Sequence, residues 1–149
     1  MGFEAILPKE YSQKEWKMKP FLEGFPTERI SNSLENVLYL YSRIAKGHAK
    51  STNNAPKNYK IKEVYLVGSG ARENRVDSDL DFLLVAPRLD EVSSNFLKSD
   101  ISNFLFCDRP KQEAVDVFIN REEVHPGRES FNLTDFYMEL LKKYNKKLR

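Results

Sequence analysis

Two aspartates, Asp79 and Asp81, stand two residues apart where a polar stretch gives way to the apolar run Phe82, Leu83, Leu84 and Val85. In a β-strand, residues i and i+2 point to one face, so both carboxylates aim at one spot. A third, Asp116, lies between Val115 and Val117 inside another short run of β-formers. Three carboxylates drawn together repel one another by about 4 kcal/mol per pair at ~4 Å and an effective dielectric near 20. A hard cation relieves that repulsion. With no His or Cys beside them, an all-oxygen ligand set favours Mg²⁺ or Mn²⁺ over zinc.

Upstream, Gly68, Ser69 and Gly70 break the preceding apolar run. Glycine at a strand end permits a tight turn and lets backbone N–H groups approach a ligand. The Ser69 hydroxyl can donate to a phosphate oxygen, and a helical turn beginning at Ala71 would add free N–H groups to an anion site. Arg72 and Arg75 lie within reach of the same region and suit phosphate oxygens. One strand end then offers phosphate binding and the next offers metal binding. That combination can carry a nucleoside triphosphate with its cation through an in-line displacement. Competing motifs fail. A dinucleotide fingerprint needs glycine where Glu73 stands, and no Lys-Ser or Lys-Thr follows at P-loop spacing. A calcium loop built on Asp77, Asp79 and Asp81 would need glycine at Phe82 and glutamate at Arg88.

These residues need strands to hold them and helices to bury the strands. β-formers over 60–67 predict a first strand, and residues 80–86 predict a second, ended by Pro87. The unbroken apolar character of the second marks a central strand buried on both faces. Residues 114–119 predict a third. Ile30, Leu34, Val37, Leu38, Tyr41 and Ile44 recur at helical spacing, so a helix is expected over 27–47, capped by Thr27 or Ser31 and stopped by Gly47. A polar loop should fill 48–59. Leu89, Val92, Phe96, Leu97, Ile101, Phe104 and Leu105 predict a covering helix over 89–107. A last helix is expected over 132–148, with Phe136, Leu140, Leu141 and Tyr144 on its buried face. The fold class that follows is α+β (α/β), a small mixed sheet of three or more strands flanked by helices.

A chain of 149 residues suits one domain with its own core. We divide it into an N-terminal arm, 1–26, rich in proline and aromatic residues, and a single domain over 27–149 whose motif core is 60–119. The 24 basic residues are balanced by 22 acidic ones, so charge alone does not indicate nucleic acid as a partner. The single cysteine, Cys107, excludes an internal disulfide framework and a multi-cysteine zinc site. No apolar run reaches the ~18 residues of a membrane span, and the N-terminus does not read as a secretory signal, so the expected location is cytoplasmic.

Gly68-Ser69 with the Ala71-Arg72 pair, then Ser78-Asp79-Leu80-Asp81 and an apolar run, then Asp116 in a later strand, resembles the DNA polymerase β-like nucleotidyltransferase superfamily. The likeness is strongest to its small minimal nucleotidyltransferases. The resemblance implies that Gly68 and Ser69 hold the triphosphate, with Arg72 and Arg75 beside them. It implies that Asp79 and Asp81 bind two metal ions and that Asp116 joins one of them and helps activate an acceptor hydroxyl. The implied reaction moves a nucleoside monophosphate, AMP from ATP, onto a hydroxyl and releases pyrophosphate. Two other roles accompany the resemblance. One is an antitoxin-like partner that adenylylates or binds a small helical toxin-like protein. The other is a nucleotide-binding scaffold without turnover, suggested by Glu73 and by a connection one residue shorter than the common pattern.

Overall fold

Thr27 starts the first helix. Its side chain accepts from the Ile30 N–H at 3.4 Å, and its carbonyl accepts from Ser31 at 2.9 Å. Helix α1 then runs Glu28–Thr52 in the computed structural model, which describes residues 26–68, 71, 79–108, 115–120 and 130–147. The helix passes straight through Gly47, which was expected to stop it. Gly47 is exposed and touches nothing, so its cost is the ~1 kcal/mol of a glycine in a helix interior. Ala45 and Ala49 on either side are buried in the core and offset that cost. The true stop is Asn53, in the left-handed region at φ 55°, where the backbone N–H groups of Asn53 and Asn54 return to the last carbonyls. The expected polar loop is therefore largely ordered. Its first five residues belong to α1, and Pro56–Tyr59 forms a 3₁₀ turn with proline at its start.

The strands are β1 (Glu63–Val67), β2 (Leu80–Val85), β3 (Val115–Ile119) and a short β4 (Phe131–Asn132) that the sequence pattern did not suggest. They form one mixed sheet in the order β3-β2-β1-β4. β1 pairs antiparallel with β2 and with β4, while β2 and β3 run parallel. The parallel step requires a crossover, supplied by helix α2 (Glu91–Asp108). Helix α3 (Thr134–Lys147) follows β4 at once. Asn132 accepts from the Thr134 N–H at 2.9 Å, and the Thr134 hydroxyl accepts from Val64 N–H at 3.0 Å, which ties the start of α3 to β1. The protein is thus α+β, as expected, with the described helices packed on one face of a four-stranded mixed sheet.

Alternation along β2 sorts the two faces. Leu80, Phe82 and Leu84 join Val64, Leu66, Val117 and Ile119 in the main core, against Ile30, Leu34 and Val37 of α1 and Leu97 and Ile101 of α2. Burying each such side chain contributes ~1.5–3 kcal/mol. Leu83, on the other face, is 2 % exposed and lies outside that cluster. β2 is therefore buried on both sides, as its apolar run required. Two helix faces differ from expectation. On α2, Leu97, Ile101 and Leu105 face inward, but Val92, Phe96 and Phe104 are 79 %, 44 % and 55 % exposed. On α3 it is Tyr137, with Leu133 just before the helix, that is fully buried; Phe136, Leu140 and Leu141 are half-buried at its edge. The expected arm over 1–26 lies outside the described residues except for Pro26, and so do the side chains of Cys107 and Tyr144.

Among the described residues, no helix is long and apolar enough to cross a membrane.

Candidate functional site

The register of the sheet brings the aspartates together. Asp81, the second residue of β2, lies opposite Asp116 of β3 across the parallel pair. Across the antiparallel pair it lies opposite Val67, the last residue of β1. Cross-strand partners share a face, so Asp81 stands between an apolar neighbour and a like charge. Asp79 sits just before the strand, exposed, two residues from Asp81. The opposite face of β2 is occupied by Leu80 and Phe82 in the core. Asp81 therefore cannot turn away from its neighbours without entering an apolar interior.

The electrostatics follow. Burial pushes the Asp81 carboxyl up from its ordinary 3.8 to about 6, and the charges of Asp116 and then Asp79 push it the same way. Burial is the largest cause because Val67 and Leu83, both buried on this face, form an apolar floor beside it. Asp116 makes interactions of its own. Among the described residues no group of three His, Cys, Asp or Glu side chains is drawn tightly enough to hold a metal ion. The carboxylates are near enough to repel and not closed into a cage.

Gly68 closes the site from the side of β1. It adopts φ +71°, and a Cβ at this position would collide with Oδ2 of Asp81. Glycine is needed here on two counts, backbone conformation and the close approach of the carboxylate. The Ala71 N–H donates to the Gly68 carbonyl at 3.1 Å, so the chain turns immediately, and Ala71 is buried. The structure thus brings together four of the expected site residues: Gly68, Asp79, Asp81 and Asp116. The donor set is all oxygen, which fits Mg²⁺ or Mn²⁺ in kind. Ser69, Arg72 and Arg75 lie outside the described residues.

A second polar cluster was not expected. His48 lies within α1, with its Nε2 3.2 Å from Ser93 Oγ on α2. Its ring stacks on Phe96 at 4.5 Å and meets Tyr59 edge-on at 5.8 Å. Asp90 accepts from the Ser93 N–H at 2.7 Å, and its carboxyl is held below the usual range by bonds from the Ser93 backbone and hydroxyl and by the charge of His48. Serine, histidine and aspartate in contact suggest a nucleophilic relay. The order is wrong for one, because serine stands between the other two, whereas a relay needs the histidine in the middle. Asp90 is the N-terminal cap of α2, and His48 braces that cap against α1. The signal available in sequence was Asp90-x-x-Ser93, a capping spacing just after Pro87.

No family profile, curated protein or solved structure matches this chain.

Proposed function

We propose that the protein is a divalent-metal-dependent nucleotidyltransferase of the DNA polymerase β-like kind, moving a nucleoside monophosphate, AMP from ATP, onto a hydroxyl acceptor. The observation that carries this reading is the in-register pair Asp81 and Asp116, with a glycine turn pressed against Asp81 and Asp79 two residues away. In this reading Asp79, Asp81 and Asp116 hold Mg²⁺ or Mn²⁺, and Gly68, Ser69, Arg72 and Arg75 receive the triphosphate. When bound, the metal ions would neutralise charge on the triphosphate and on the leaving pyrophosphate. The acceptor oxygen bonds to the α-phosphorus as the P–O bond to the β-phosphate breaks. Asp116 takes the acceptor's proton, and pyrophosphate leaves.

In this reading the cation is taken up together with the nucleotide, whose phosphates complete its oxygen shell. The test is titration of the protein with Mn²⁺, with and without ATP, followed by incubation with labelled ATP, Mg²⁺ and hydroxyl-bearing acceptors. Binding of Mn²⁺ should tighten at least tenfold when ATP is present, and label transfer should vanish in Asp81→Asn. Wild type and Asp81→Asn showing the same metal binding and the same transfer would overturn the proposal. Cooperative Mn²⁺–ATP binding without any transfer would instead support a nucleotide-binding scaffold.

A further inference from the structure

The helix layer carries a concavity of its own. α1 and α3 both pack toward the sheet but make little direct contact with each other. Between them opens a cavity of about 630 Å³ with Tyr41, Ala45, Ala49, Tyr137 and Leu141 in its lining. Ser42 and Leu141 also line a second, smaller and more enclosed hollow of about 430 Å³ that reaches Ser31, Glu35 and Lys143. On α1 the lining spans Ser31 to Asn53, about 33 Å at 1.5 Å per residue. The groove is long and apolar along its floor, the form that receives one face of an amphipathic helix.

Its charge is one-sided. Among the described residues, Lys46, Lys50 and Lys60 line the larger cavity, and no aspartate or glutamate does. Lys143 lies at the far end, where Glu35 is the one acid among the described lining residues. Single-stranded nucleic acid also seeks lysines near tyrosines, but it needs exposed ring faces on which bases can stack. Tyr41, Tyr59 and Tyr137 are only 5 %, 4 % and 5 % exposed, too little ring surface for bases to stack on. We propose that the groove between α1 and α3 is a docking site for an acidic amphipathic helix of a partner protein. The site is remote from the aspartates. Lys60 and Ile61 precede β1, Gly68 follows its other end, and the helices cover the face opposite Asp81. A helix seated here leaves the carboxylates open.

The test uses the full chain and a labelled 20-residue peptide with leucines at i, i+3, i+4 and i+7 spacing flanked by glutamates, read by fluorescence anisotropy. Three other probes accompany it: the same peptide with lysine for each glutamate, a labelled 20-nucleotide oligouridine, and dodecanoate. The acidic peptide should bind saturably and weaken at least tenfold in the triple variant Lys46→Glu, Lys50→Glu, Lys60→Glu. Ser42→Trp, which fills the junction of the two hollows without changing charge, should weaken it comparably, and Asp81→Asn should leave it unchanged. Far-ultraviolet circular dichroism checks that each variant is folded. Equal binding of the lysine peptide, no effect of Ser42→Trp, or preferential binding of oligouridine or dodecanoate would each overturn the proposal.

Discussion

The parallel pair β2–β3 ends in two opposite ways. At the far end, polar groups are saturated. Asn120, just after β3, takes φ 54°, and its side chain both accepts from the Ala86 N–H and donates to the Ala86 carbonyl, each at 2.8 Å. Its amide also reaches Ser94 Oγ at 3.2 Å, and its backbone N–H donates to the Leu84 carbonyl at 3.0 Å. At the near end, Asp81 and Asp116 lie side by side with like charge, and burial raises one of them. The same two strands thus carry a knot of satisfied hydrogen bonds at one end and a pair of facing carboxylates at the other. Satisfied buried polar groups are the ordinary requirement of folding. A carboxylate raised by burial and like charge costs stability when ionised, and such groups mark candidate functional sites.

The largest contrast should appear when each end is broken in turn. Asp81→Asn should lower nucleotidyl transfer by ~10³-fold, about 4 kcal/mol in the barrier, while leaving the unfolding midpoint at pH 7 unchanged or higher. Steady-state transfer rates and urea denaturation measure the two sides. Asn120→Ala should do the reverse. It places a Cβ-bearing residue without a compensating amide in the left-handed region and strands the Ala86 N–H, while the Ala86 carbonyl keeps the Leu89 N–H at 3.0 Å, costing about 2–3 kcal/mol of stability. Asn120→Gly should recover the conformational part of that loss and not the hydrogen-bonded part.

Gly68→Ala ranks next, at about 2 kcal/mol from positive φ and from collision with Asp81. The loss should shrink when Asp81 is also replaced by alanine, since the collision then disappears. A double-mutant cycle in urea measures the coupling, and additive losses would show that the two residues do not touch.

The smallest effect is the pH dependence. Asp81 has a folded value of about 6 against 3.8 in the ordinary state. A raised value means that protonation favours the fold. The contribution is fully present below about pH 4 and is lost as pH rises through 6. Discounted for the half of the group that faces solvent, it amounts to roughly 1–2 kcal/mol. The stability advantage of Asp81→Asn over wild type should therefore grow between pH 4 and 6 and level off above. Mg²⁺ with ATP should abolish it, which a thermal melt across that pH range would show.

Much of this arrangement was legible in the chain because it rests on local rules. The four apolar residues after Asp81 pointed to a central strand, and Thr27 was one of two caps the sequence offered, with Ser31. Other features were not legible, because a distant contact overrides a local preference. Gly47 looks like a helix stop, yet Ala45 and Ala49 are held by the core on either side of it. Val92, Phe96 and Phe104 fit the helical period as well as Leu97 and Ile101 do, and periodicity cannot say which of two apolar stripes the sheet will cover. β4 has only two residues, too few for any pattern, and owes its place to pairing with β1.

For the acids, sequence alone determined that Asp79 and Asp81 share a face, since the two-residue period of a strand follows from the backbone itself. It also determined that Asp116 belongs to a strand. Only the tertiary structure decided that Asp116 lies opposite Asp81, because strand order and register depend on how helix α2 carries the chain across the sheet. Only the tertiary structure pressed Gly68 against the Asp81 carboxylate, because that approach depends on the pairing of Val67 with Asp81. Spacing along a chain sets direction. Distance between strands is set by the packing that holds them.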